Sequence, residues 1–152
     1  MKVSDCPSVA PVTCYETDLI SAGAKKLKTN KLRHLYVVDK KKKLLGVFAA
    51  QDVVYTLLAA GKDYRKVTVK ECMNSSIVSF TKNDFLMKAV GFMSSTNILS
   101  VPIVDNGVLV GVLSYKDAMA SLLREKQQRM KQQKQRSSLR RGENQEEDRA
   151  HY

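Results

Sequence analysis

The chain has 152 residues, 43% of them hydrophobic, with 26 Lys or Arg against 15 Asp or Glu and a formal net charge of +11. That length and apolar content suffice for one globular unit with a real core plus a tail. No run approaches the ~20 continuous apolar residues of a membrane span, and Met1-Lys2-Val3 leads into no signal-type apolar segment, so a cytoplasmic protein without a membrane partner is expected. The 3 cysteines are too few and too scattered for a disulfide framework or a metal cluster, and no metal is expected.

Taken in order, the chain reads twice. Cys6 recurs as Cys72, Val12-Thr13 as Val78-Ser79, Asp18 as Asp84 and Val38-Asp39 as Val104-Asp105, all at one offset; after the turn at Asp39 the offset shortens by one residue, and Gly46, Val47 and Asp52 match Gly111, Val112 and Asp117. In each half an amphipathic helix (Leu19, Ile20, Ala24, Leu27; Phe85, Leu86, Ala89, Val90, Met93) follows an aspartate placed as an N-cap, Asp18 or Asp84. Two short apolar strands joined by a turn come next, the turns being Asp39 with Lys40 to Lys43, and Asp105-Asn106-Gly107, whose Asn-Gly pair tolerates positive φ. A second helix closes each half, with apolar pairs four apart (Val53-Val54 with Leu57-Leu58; Ala118-Met119 with Leu122-Leu123).

Each unit is therefore strand, helix, strand, strand, helix. One such unit alone would be marginal, so two are expected to share a core. The expected fold is α/β (α+β): two β-α-β-β-α repeats packed as a pseudo-two-fold pair, followed by a polar, basic helical tail. The boundaries are 1–60 for the first repeat, 61–68 for a connector with Gly61 as a left-handed cap residue, 69–123 for the second repeat and 124–152 for the tail.

The ends of the two repeats, GVFAAQD and GVLSYKD, carry the candidate chemistry. Ser114 and Asp117 stand at a helix start, where a hydroxyl caps an orphan N–H and a carboxylate meets the positive end of the helix dipole. Capping and ligand binding both use this arrangement. With VSDCPS and VKECMN as opening segments and RHLYVVD and LSVPIVD as middle strands, the chain from about residue 3 to 123 resembles a tandem pair of CBS (cystathionine beta-synthase) domains, a Bateman module.

The resemblance implies a regulatory module that binds an adenine nucleotide, AMP, ADP or ATP, between its repeats and signals to a partner protein, commonly as a homodimer. It assigns Ser79, Val101, Pro102, Val112, Ser114 and Asp117 to one nucleotide site, with the aspartate on the ribose hydroxyls, the serine on sugar or phosphate and the apolar residues against the base. A second, degenerate site would use Thr13, Arg33, His34, Tyr36 and Asp52; there Ala49 replaces the hydroxyl residue, and the phenol of Tyr36, standing for the proline of the middle strand, is expected to fill the base pocket.

No phosphate loop, metal cluster or nucleophile and base pair accompanies these residues, so no enzyme activity is expected. Residues 124–141 hold eight basic residues, Arg124, Lys126, Arg129, Lys131, Lys134, Arg136, Arg140 and Arg141, against the single acid Glu125, whereas residues 142–152 hold four acids and one Arg. This segment is rich in helix formers but lacks an apolar heptad, which predicts a polar helix leaving the module and fraying near Ser137-Ser138. Its basic cluster, without aromatic interleaving, suggests phosphate-backbone contact, and the alternative function is an RNA- or ribosome-associated factor that uses the repeat pair as a scaffold.

Overall fold

Two antiparallel hairpins form the centre of the fold. In this computed structural model, which describes residues 1–150, β2 (His34–Val38) pairs with β3 (Leu44–Ala49) and β4 (Ser100–Asp105) with β5 (Val108–Ser114). The first turn is closed by Asp39, whose carboxylate accepts the Lys41 and Lys43 N–H groups at 2.8 and 2.9 Å. The second runs through Asn106 (φ 48°) and Gly107 (φ 81°), the left-handed pair that a two-residue hairpin needs.

β1 (Thr13–Tyr15) lies parallel to β2 and completes a three-stranded sheet. Its counterpart in the second repeat shrinks to one parallel pairing, Phe80 with Ile103. The cause is visible in the ladder: Tyr36 N–H donates to the Val12 carbonyl at 3.3 Å, but the matching position is Pro102, which has no N–H to donate.

Helices α1 (Ile20–Asn30) and α4 (Leu86–Thr96) follow, ending in left-handed Lys31 and Asn97. Asp18 and Asp84 do not cap them. The N-caps are Leu19 and Phe85; each aspartate instead turns back to accept the N–H three residues earlier, from Tyr15 at 2.9 Å and Thr81 at 2.7 Å, and closes the turn before the helix. The second helix of the first repeat, α2 (Ala50–Val53), continues as a π-helical segment (Val54–Ala59) and stops at Gly61, φ 65°. The one in the second repeat, α5 (Tyr115–Ala150), runs 36 residues without a break at Ser137-Ser138. Two serines cost the helix little among so many Gln, Lys, Arg and Glu residues. His151 and Tyr152, the end of the tail, lie outside the described residues.

The two halves exchange their first turns. Val3 and Cys6, from the start of the chain, are buried with Leu86, Met93, Val101 and Leu113 of the second repeat. Val69 and Cys72, from α3 (Val69–Cys72), are buried with Ile20, Leu35, Val37 and Phe48 of the first. Backbone bonds repeat the exchange: Val3 N–H to the Asp84 carbonyl at 2.9 Å, and Val69 N–H to the Asp18 carbonyl at 2.8 Å. A third cluster, Tyr36, Val38 and Leu109 with Leu44, Val47 and Val112 against it, joins the two sheets.

The exchange accounts for the paired glycines of the closing motif. A Cβ on Gly46 would lie 2.8 Å from the Asn74 carbonyl oxygen of the second repeat, and one on Gly111 would lie 3.2 Å from Ser8 Oγ of the first. Each glycine lets the other repeat's incoming strand cross β3 or β5, where Asn74 bonds Val47 in both directions at 2.9 Å and Val9 bonds Val112 in both directions at 3.0 Å.

Candidate functional site

Crossing of the chain makes the interface between repeats, rather than either repeat, the place where side chains converge. A cleft of about 400 Å³ opens there. From the first repeat it takes His34, Tyr36, Val47, Ala49, Gln51 and Asp52; from the second it takes Asn74, Ser76 to Val78, Phe92, Ile98 and Ser100 to Pro102.

The floor lies on the pseudo-two-fold axis. His34 and Ser100 occupy the same position in the two repeats, and Ser100 Oγ lies 3.1 Å from His34 Nε2. Burial holds the His34 imidazole below its ordinary pKa, which favours the neutral ring. The Tyr36 ring packs edge-on to His34 at 5.4 Å between centroids, and burial raises its phenol pKa while a hydrogen bond with Ser100 opposes the rise. Asp52, in the first turn of α2, is the one carboxylate in the lining, and no Lys or Arg joins it. Both repeats contribute apolar lining, Val47 and Ala49 from the first and Ile77, Val78, Val101 and Pro102 from the second, alongside the polar Gln51, Asn74 and Ser76. A site of this kind can hold a flat hydrophobic group between Val47, Ile77, Val78 and Pro102 and accept hydrogen bonds from hydroxyls at Asp52.

The expected site residues are distributed across this geometry in an unexpected way. Val101 and Pro102, grouped by sequence with Asp117, line the cleft of Asp52 instead, because each wall comes from the opposite repeat. Ser79, Val112, Ser114 and Asp117 do not line it. Ser114 Oγ accepts the Asp117 N–H at 3.1 Å, the capping bond expected at the start of α5. Tyr36 lines the cleft and also belongs to the central cluster that Val112 packs against. Thr13 sits in β1, and Arg33 is exposed beside β2; neither lines the cleft. Sequence reasoning missed Val47, Gln51, Asn74, Ser76, Ile77, Val78, Phe92, Ile98 and Ser100 as site residues; only the positional match of His34 with Ser100, read as a symmetry axis, could have pointed to the facing segment.

The basic residues of the tail stand apart from the cleft. From Lys126 to Ala150 every residue of α5 is exposed. The ion pair of Arg129 with Glu125 is the only one within this helix among the described residues.

Two α/β repeats that exchange their opening turns and enclose a cleft between them define a paired-repeat module. The chain belongs to the CBS domain family: the family model matches residues 3–59 and 69–124. The fold resembles a putative acetoin utilization protein (AcuB) from Vibrio cholerae, with 25% identity, a TM-score of 0.72 and coverage of 85% of this chain and 96% of that one. It also resembles the CBS domain pair of protein MJ0100, solved in complex with 5′-methylthioadenosine and S-adenosyl-L-methionine, with 28% identity, a TM-score of 0.65 and coverage of 83% and 98%. Among curated sequences it is similar to an L-aspartate semialdehyde sulfurtransferase of Methanocaldococcus jannaschii, 28% identical over 116 residues, which are 76% of this chain and 22% of that protein. The chain spans about a fifth of the length of such curated relatives. Among the described residues no helix is long and apolar enough to cross a membrane.

Proposed function

We propose that this CBS pair is a regulatory module that binds an adenosine-containing ligand in the cleft beside Asp52 and passes its occupancy to a partner. The observation that carries this reading is the single carboxylate at a helix start facing an apolar wall built by the other repeat. The Asp52 carboxylate accepts the two ribose hydroxyls, and the purine lies between Val47 and the Ile77, Val78 and Pro102 wall. The cleft volume of about 400 Å³ falls in the range of small-molecule sites, roughly 300–1,000 Å³. The adenosyl ligands held by the MJ0100 pair support the ligand class. Because the lining holds no cation, the 5′ group extends toward solvent, where Arg33 is the basic residue next to the cleft floor.

Calorimetry with 5′-methylthioadenosine, S-adenosylmethionine, AMP, ADP and ATP tests this. Asp52→Asn should weaken the preferred ligand by about 2 kcal/mol, roughly thirtyfold, because ribose hydroxyls lose a charged acceptor. Asp117→Asn should change it less than twofold. Wild-type affinity in Asp52→Asn would overturn the assignment.

The homodimer belongs to the same proposal. Tyr55 and Leu58, 60% and 79% exposed on the second helix of the first repeat, give a second copy an apolar face to cover. Leu58→Glu should then shift the particle mass measured by light scattering from dimer to monomer.

A further inference from the structure

The tail of α5 presents its charges in an ordered way. At 3.6 residues per turn, Gln128, Gln132, Gln135 and Leu139 fall within a sector of about 60°. Arg124 and Lys131 flank this stripe on one side, and Arg129, Arg136 and Arg140 flank it on the other. Lys126, Lys134 and Arg141 lie on the back of the helix. Arg129 is held by Glu125, so four flanking cations face solvent without an ion-pair partner among the described residues. The acids begin at Glu143, one turn beyond the stripe.

Three kinds of partner fit this surface badly. A coiled coil needs an apolar seam, and here the positions spaced four and three apart are glutamines. A lipid surface needs an apolar face, and Met130 and Leu139, the only large apolar residues between 124 and 141, lie on opposite sides of the helix. Duplex RNA has a major groove too deep and narrow for a helix.

We propose that α5 from Arg124 to Arg140 docks in the major groove of duplex DNA. A groove about 12 Å wide admits one helix and offers a phosphate row on each side, matching cations on both flanks of an uncharged stripe. The glutamine amides then face base edges, where Gln pairs with adenine N6 and N7. The acidic end from Glu143 to Asp148 bounds the contact, because it repels phosphates where a straight helix leaves the curving groove.

Fluorescence anisotropy of the full chain with a labelled 20-base-pair DNA duplex tests the proposal, with the same sequence as duplex RNA and with anionic phosphatidylserine vesicles as competitors. Four phosphate contacts predict a slope of log affinity against log salt of about −3.6. The triple variant Lys131→Gln, Arg136→Gln, Arg140→Gln should lose at least tenfold in affinity at about 0.1 M salt and flatten the slope to about −0.9. A control triple with the same net charge, Lys126→Gln, Lys134→Gln, Arg141→Gln, should retain the wild-type slope. All six positions are exposed on a helix beyond the core, and an unchanged melting temperature would verify that both triples fold. Equal losses in the two triples, tighter binding to duplex RNA, or effective competition by vesicles would each overturn the groove assignment.

Discussion

The two helix starts of this molecule, at Asp52 and at Asp117, descend from one motif and sit in different surroundings. At Asp117 the motif serine is present, and its hydroxyl is used within the chain, accepting the Asp117 N–H. At Asp52 the serine is replaced by Ala49, no side chain caps the helix, and the carboxylate lines the cleft between the repeats. A complete motif and an open site are therefore separate properties. The motif residues stabilise the helix start, whereas the cleft depends on what the other repeat places opposite. With Asp52 the cleft holds Val101 and the compact ring of Pro102; at the position equivalent to Pro102 stands Tyr36, which belongs to the central cluster that Val112 packs against.

The largest expected effect tests the exchange that makes the surroundings cross over. Removing residues 1–6 should destabilise the protein by roughly 4 kcal/mol, since it strips buried Val3 and Cys6 and several backbone bonds from the second repeat. The location is more telling than the size. Hydrogen exchange should accelerate first in β4 and β5, the repeat distant in sequence, while β2 and β3 keep their protection. Faster exchange in the first repeat would show that the opening turn stabilises its own half.

Much of this architecture was legible. The paired offsets from Cys6 and Cys72 to Asp52 and Asp117 announced two like units, and the alternation of helical and strand patterns fixed their contents. The site was legible as residue types and not as a set of neighbours. Sequence repeats record which residues are equivalent, and equivalence does not say which residues face one another across the boundary between repeats. Thus the family resemblance groups Pro102 with Asp117 as members of one repeat, while the crossing strands deliver Pro102 to the cleft of Asp52. The N-cap expectation at Asp18 and Asp84 failed for a more local reason: a carboxylate can serve the N–H three residues behind it as readily as one ahead, and the chain enters each helix one residue later.

A smaller effect separates the two motif glycines. In Gly46→Ala the new methyl meets a backbone carbonyl at 2.8 Å, and the Asn74 strand must move; in Gly111→Ala it meets the hydroxyl of a side chain that can rotate. Chemical denaturation should give a loss of about 2 kcal/mol for the first and about 0.5 kcal/mol for the second. The first substitution should also weaken ligand binding, since residues 76–78, which follow Asn74, form a cleft wall. Equal losses would mean that the strands cross β3 and β5 with the same freedom.

The smallest effect concerns the axis itself, where His34 in one repeat meets Ser100 in the other. Burial lowers the imidazole pKa in the folded protein, while the unfolded chain keeps the ordinary value near 6.5. Between those two values the unfolded state binds more protons, so stability rises with pH across that window. The contribution is complete above about pH 6.5 and is lost as pH falls through the depressed folded value. His34→Gln retains a hydrogen-bonding group for Ser100 and removes the titration. The wild-type melting temperature should therefore fall more steeply than that of the variant as pH is lowered from 7 toward 5, by an amount small compared with the glycine effect because the ring is only partly buried. Parallel profiles for the two proteins would show that the imidazole is equally free to protonate in the folded and unfolded chains, and that the cleft floor is wetter than its packing implies.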